Sequence, residues 1–467
     1  MQKFFISFSD KVNIKKRKRI KYAFKVYCAT RGYVVSNEYS ESGINISYGY
    51  KENNKHRNWI FVPERYQDSF NQIPSNSITH KYMDEKIVLF FGLDENLNIP
   101  DYFGEIFEWI SSAREIIVDS KDGIGRIDES ELIFQKDKIS PKKPYASIMM
   151  YWLDRYIEQK IQNLILPENE KKHYIVCTHD IDFYNIGKNR FKSGIIRTIK
   201  NIFIGLVHHK KLKFSLENFL LLIKNIFIKE VGCFFNELLK RAKKYNFSSS
   251  LYVITESKDR KDANYNFDEL IHELKKIYDE KYIRIGLHGS YNSSLNTNQL
   301  KKEKIKLSRF FPNIYGGRQH YLRFNNYEIL CDNIELAGMK YDSTFGFSKE
   351  IGFRHGASFA FPPYDFKKEA AYNFLEFPLV IMDTALMKSD SNYHELVEEV
   401  LNQSRKWSNG GIAVLWHNPL EPLNCLNEIN DIFWSEIKLK DSRNEKWLSG
   451  EEYYDLVKSN YSKANLL

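Results

Sequence analysis

The chain has 467 residues, 43% hydrophobic and 28% charged, with only 12 Pro and 22 Gly, which excludes a disulfide-stapled miniprotein and long disordered or low-complexity segments. At the usual ~100–200 residues per domain, this length holds two or three domains with sizeable cores. Lys and Arg number 69 against 60 Asp and Glu, a net +9 spread too thinly to imply a nucleic-acid binder.

The start, MQKFFISFSDKVNIKKRKR, has too few apolar residues for the roughly 7–15-residue core of a secretory signal. No run approaches the ~20 apolar residues that span a bilayer. FLLLIKNIFI is interrupted by Lys224. These readings predict a cytoplasmic protein. Five cysteines (Cys28, Cys177, Cys233, Cys331 and Cys425), odd in number and without a CxxC pair, predict a reducing compartment and no structural zinc site. In the basic run Lys15–Arg19, the apolar residues Ile20, Phe24 and Tyr27 follow at helical spacing, so the run reads as a solvated helix face.

Residues 1–140 mix strand-like runs (NWIFV, KIVLFFG) with one amphipathic helix, DYFGEIFEWISSAREII, and predict a small α+β domain. The acidic residues of KDGIGRIDE do not fall at calcium-loop positions, so that reading is rejected. Residues 141–170 read as a linker and connecting helix, YASIMMYWLDRYIEQKIQNL, ended by Pro167. From residue 171 to about 440, short apolar runs alternate with helical segments: HYIVCT, SSLYVIT, IRIGLH, FLEFPLVIM and GIAVLWH are the strand-like ones. That alternation predicts an α/β fold with a parallel sheet or barrel. Residues 441–467 read as a C-terminal tail. An insertion at 188–231 alternates bulky apolar residues with Lys, Arg and His. It reads either as helices lying on an anionic membrane face or as a helical subdomain packed on the barrel.

Several of these runs end in groups that bind metal or move protons: His179, Asp180 and Asp182, then His288, Asp383 and His417. In parallel barrels the loops after the strands converge on one site, so these residues are candidates to meet there. Asp180 and Asp182 lie two apart and point to one side of an extended chain, where one can bind a cation while the other accepts a proton. A helix cap beside a surface Asp is the structural alternative. Tyr341, Phe361 and Tyr364, in a long loop rich in Gly and aromatics, either stack on a sugar or pack in the core, and Arg354 is a candidate phosphate contact.

Thr178–Asp182, IGLHGSYNS, GGRQHYLRF and AVLWHN resemble, in order, the first, second, third and fifth motifs of the NodB-homology polysaccharide deacetylases, carbohydrate esterase family 4. SSAREI and KDGIGRID, in the first 165 residues, resemble more weakly an uncharacterised domain that accompanies a subgroup in bacterial surface-polysaccharide loci. The resemblance implies a distorted (β/α) barrel, preceded by the smaller α+β domain, that removes N-acetyl groups from an amino sugar or glycan. It implies Asp180 as general base, Arg318 as its partner, the Tyr321 amide at the oxyanion and His417 as the acid. Asp383 is the candidate to pair with His417 and raise its pKa. One divalent ion, zinc by preference with cobalt, nickel or manganese as alternatives, would be held by Asp182 and His288. The family's second histidine is replaced here by Asn292, a weak neutral donor, so His179 or His320 is the candidate third ligand. Trp416, in the last motif, joins the substrate-binding candidates. The expected setting is cytoplasmic, with possible peripheral contact at the inner membrane face and no nucleic-acid partner. Two alternatives stay open: a catalytically silent carbohydrate-binding or assembly protein, and a metal hydrolase of another acyl or glycosidic bond.

Overall fold

The computed structural model describes residues 2–50, 58–67, 78–82, 85–94, 96–166, 173–182, 233–263, 265–389, 391–407, 410–417 and 427–467. The 188–231 insertion lies outside the described residues. Among the described residues, no helix is long and apolar enough to cross a membrane.

The N-terminal region has its own sheet, β2-β1-β3-β4, made of β1 (Lys3–Phe8), β2 (Val34–Val35), β3 (Ile44–Tyr48) and β4 (Trp59–Val62), with every pairing parallel. A hairpin, β5 (Ile78–Tyr82) and β6 (Glu85–Leu89), follows. The first helix, Ile14–Arg31, starts where the Asn13 side chain accepts the Lys16 amide and stops at Gly32, whose φ of 68° is the left-handed conformation that ends helices. Its basic run is only partly solvated, because Arg19 is buried and donates to both oxygens of Glu369 at 3.0 and 2.8 Å. The predicted amphipathic helix is present as Tyr102–Ile110, packed on Tyr145–Lys160, which ends seven residues before Pro167. Its cap, Asp101, is buried and accepts from Gly104 N, Arg65 N, Tyr66 N and Tyr48 Oη.

The second sheet is all parallel: β7 (His173–Ile181), β8 (Ser249–Val253), β9 (Ile283–Gly289), β10 (Gly316–Gln319), β11 (Tyr341–Asp342), β14 (Leu375–Glu376), β15 (Leu379–Met382), β16 (Gly411–Leu415) and β17 (Glu445–Leu448). A two-stranded β12 (Tyr364–Asp365) and β13 (Ala370–Ala371) lies apart. The sheet order is β14-β11-β10-β9-β8-β7-β16-β15. Its two ends are consecutive in the chain: Phe377 N donates to Asp342 O on β11 at 2.9 Å, and Ala413 N on β16 donates to Pro378 O at 2.8 Å. One stretch of backbone therefore bridges both edges, which gives the curled sheet of a distorted (β/α) barrel. At Gly317 a Cβ would stand 1.7 Å from Leu287 O, so β10 can pair with β9 at this register only as glycine.

Residues 441–467 are part of the barrel domain rather than a tail. β17 pairs with the first half of β7 from His173 to Val176, and the helix Gly450–Lys463, opened by a Ser449/Glu452 capping box, packs on β7, β8 and β10. Its Glu451 accepts from Ser250 Oγ at 2.9 Å and Tyr341 Oη at 3.2 Å.

Candidate active site

Register alignment carries the reactive groups to one end of the barrel. Arg318 on β10 pairs with His288 on β9, Asp180 and Asp182 sit at the end of β7, Asp383 directly follows β15, and His417 lies two residues past the end of β16. Asp182 is the centre. Its Oδ1 lies 3.3 Å from His288 Nε2 and 3.6 Å from His320 Nε2, and its Oδ2 lies 3.6 Å from His417 Nε2.

His288 Nδ1 lies 3.0 Å from Arg318 O. A carbonyl only accepts, so Nδ1 carries the hydrogen and the ring is oriented with Nε2 toward Asp182. His320 stacks on the Tyr321 ring at 4.1 Å, and its Nδ1 lies 3.7 Å from Asp262 Oδ1. Asp262 is held in turn by the amides of Tyr291 at 2.7 Å and Asp259 at 3.0 Å. The Asp182, His288 and His320 ligand atoms all lie within 4.8 Å of one another, and Asp182 Oδ1 is buried without a hydrogen bond. One carboxylate and two imidazoles around a buried bare oxygen suit a divalent metal ion.

Asp180, 2% exposed, accepts from Arg318 Nη1 at 2.8 Å. Arg318 is fixed by donating to Ser343 O, Ser343 Oγ and Thr178 Oγ1, and Oδ2 of Asp180 faces His288 Nε2 at 3.7 Å. Asp383 grips His417 twice, accepting the backbone amide on Oδ2 and facing Nδ1 with Oδ1, both at 2.7 Å. Burial opposes charge on His417, but Asp383, with Asp182 and Asp180, outweighs it and raises the imidazole to about 10. Burial likewise opposes ionisation of Asp182, yet the surrounding imidazoles hold it well below the usual carboxylate range. For His288 the carboxylates of Asp180 and Asp182 overcome burial and raise the pKa.

The remaining candidates fall elsewhere. His179 turns into the core, with Nδ1 2.7 Å from Trp416 O and its ring edge-on to Phe433, and burial lowers its pKa to about 4. Asn292 is exposed on the turn before Ser293–Leu295, where the Ser293 amide bonds to Ser290 O. The His179 ring is not part of the cluster, whose third side chain is His320. The proposed sugar-binding aromatics are core residues: Tyr341 stacks on Phe377, Phe361 and Tyr364 are fully buried, and Trp416 donates from Nε1 to Ile429 O. Arg354 is buried against Glu115, donating Nε and Nη2 at 2.9 and 2.8 Å, and is not available to a phosphate. Tyr321 is 39% exposed beside His320, with φ of 62°. Asp262 carries no signal in the sequence, since it lies in the polar segment SKDRKDAN, far from every motif.

The chain matches no family model and no curated protein sequence. Among solved structures it is similar to a presumed polysaccharide deacetylase from Mycobacterium smegmatis, at 14% identity and a TM-score of 0.36, over 63% of this chain and 93% of that one. It is also similar to a presumed polysaccharide deacetylase involved in O-antigen biosynthesis from Bordetella bronchiseptica, at 10% identity and a TM-score of 0.26, over 64% and 91%. Both bear the name of the family that the motifs resemble.

Proposed function

We propose that the chain is a metal-dependent hydrolase that removes N-acetyl groups from an amino sugar in bacterial surface-polysaccharide synthesis. The observation that supports it is the Asp182, His288 and His320 cluster standing between an Arg-held carboxylate, Asp180, and an Asp-held imidazole, His417. Asp182, His288 and His320 would hold a divalent ion, and such an ion would supply Lewis-acid polarisation of the acetamide carbonyl and a lowered pKa for the attacking water. Asp180 accepts the water proton as oxygen bonds to the amide carbon; Arg318 occupies Oδ1 and leaves Oδ2 to take it. The Tyr321 amide is assigned to the oxyanion. As the C–N bond breaks, His417 donates its Nε2 proton to the departing amine, and the products are acetate and the free amino sugar. Asp383 keeps that imidazole charged and aimed.

The sugar would lie against the exposed Tyr321 ring rather than the buried aromatics. Membrane-surface contact through 188–231 and an inner-face location belong to the same proposal, and salt-sensitive flotation with anionic liposomes tests them. The decisive experiment offers zinc, cobalt, nickel or manganese to the purified chain, measures bound metal, and assays acetate release from N-acetylated amino-sugar oligosaccharides. About one metal per chain with acetate release supports the reading. Bound metal without acetate would direct the search to another acyl or glycosidic bond, and no metal would leave a carbohydrate-binding protein.

A further inference from the structure

Tyr321 and Leu322 are consecutive residues with φ of 62° and 52°, a left-handed conformation that side chains other than glycine's resist. Such a pair persists only where its surroundings hold it. The holding groups come largely from the N-terminal region, some 195 residues away in sequence.

Within Asp122–Ile127 the chain folds on the Asp122 carboxylate, which accepts the amides of Ile124 and Arg126 at 2.9 and 3.0 Å and Arg126 Nε at 2.8 Å. So fixed, Arg126 donates from Nη1 to Tyr321 O at 3.1 Å. Ile124 O accepts from Arg323 Nε at 3.1 Å and Tyr291 Oη at 2.8 Å. Ile127 N donates to Phe324 O at 3.1 Å. Arg323, lying over the Tyr291 ring, donates in turn to Tyr291 O at 2.7 Å. The loop therefore holds the strained pair at the Tyr321 carbonyl and at the two residues that follow it, Arg323 and Phe324. It also reaches Tyr291, whose amide fixes Asp262 opposite His320.

We propose that the Asp122–Ile127 loop is a positioning element of the active site, with Arg126 and the Ile124 carbonyl holding Tyr321–Arg323 so that the Tyr321 amide and the His320 ring face the reacting atoms. This assigns a catalytic purpose to the N-terminal region and rests, for the role of the Tyr321 amide, on the deacetylase reading. Arg126 touches no reacting group and acts through the Tyr321 carbonyl.

The test compares the full chain with Arg126→Ala and Arg126→Lys by hydrogen exchange and steady-state kinetics. Exchange across residues 319–325 is expected to rise about tenfold in Arg126→Ala and to stay unchanged in β8. Acetate release is expected to lose roughly 10- to 100-fold in kcat, with KM within about twofold and metal content constant. Arg126→Lys, which keeps one donor, should recover part of both. Unchanged exchange at 319–325, faster exchange with unchanged kcat, or faster exchange throughout the molecule would each overturn the proposal. A wild-type chain that releases no acetate would instead overturn the deacetylase reading, and the local exchange measurement would still decide whether Arg126 holds this segment.

Discussion

Asp182 has histidines on three sides, and each ring's outer nitrogen shows what that ring is set up to do. His288 gives its Nδ1 hydrogen to a backbone carbonyl, His320 faces Asp262, and His417 is gripped by Asp383. The first two arrangements suit ligands and the third suits an acid. Alanine at Asp182, His288 or His320 is therefore expected to weaken metal binding by at least about 100-fold, while Asn292→Ala leaves it within about twofold, both read by competition with a chromophoric chelator. His417→Ala should keep the metal and lose roughly 100- to 10,000-fold in kcat. Because His417 is raised to about 10, the acid form persists through neutral pH and the rate falls only as pH rises through that value. Asp383→Asn removes the largest raising influence and should move this alkaline limb of the kcat profile downward.

Two elements of the N-terminal region carry charges whose effects are on stability rather than chemistry. The Arg354–Glu115 pair joins the barrel loop at 354 to the short helix Ala113–Ile116, and both side chains are under 10% exposed. Arg354→Ala strands Glu115 without its partner and should cost about 3–5 kcal/mol in urea unfolding, with KM unchanged. A phosphate-binding role would raise KM instead. On the helix Tyr102–Ile110, Glu105 is fully buried, and burial raises it to about 8 although the amides of Phe90 and Phe91 favour its charge. A carboxyl raised in the folded state stabilises below its ordinary pKa of about 4.5 and loses that contribution as pH climbs through about 8. The thermal midpoint should therefore fall between pH 5 and 8.5 in a way that Glu105→Gln flattens, whatever that variant's absolute stability.

At the scale of the whole molecule, the barrel depends on segments distant in sequence. Because β17 pairs with β7 and Glu451 meets Ser250 and Tyr341, deleting residues 445–467 is expected to abolish soluble folding, checked by size-exclusion chromatography and circular dichroism. The strand–helix alternation and the polar groups after HYIVCT, IRIGLH and GIAVLWH were legible because a buried parallel strand needs a continuous apolar run and its reactive end comes where that run stops. Those local patterns pointed to a parallel sheet or barrel and brought Asp180, Asp182, His288, Asp383 and His417 forward as candidates, whereas Arg318 came forward only through the resemblance of GGRQHYLRF to a family motif. Tertiary structure decided the rest. Which imidazoles face Asp182, that Tyr341, Phe361, Tyr364 and Trp416 are core, that 441–467 pairs with and packs on the sheet, and that Asp262 stands behind the site all depend on contacts between residues tens to hundreds of positions apart. A side chain's direction and burial follow from what the rest of the chain packs against it, and no local window of sequence contains that information.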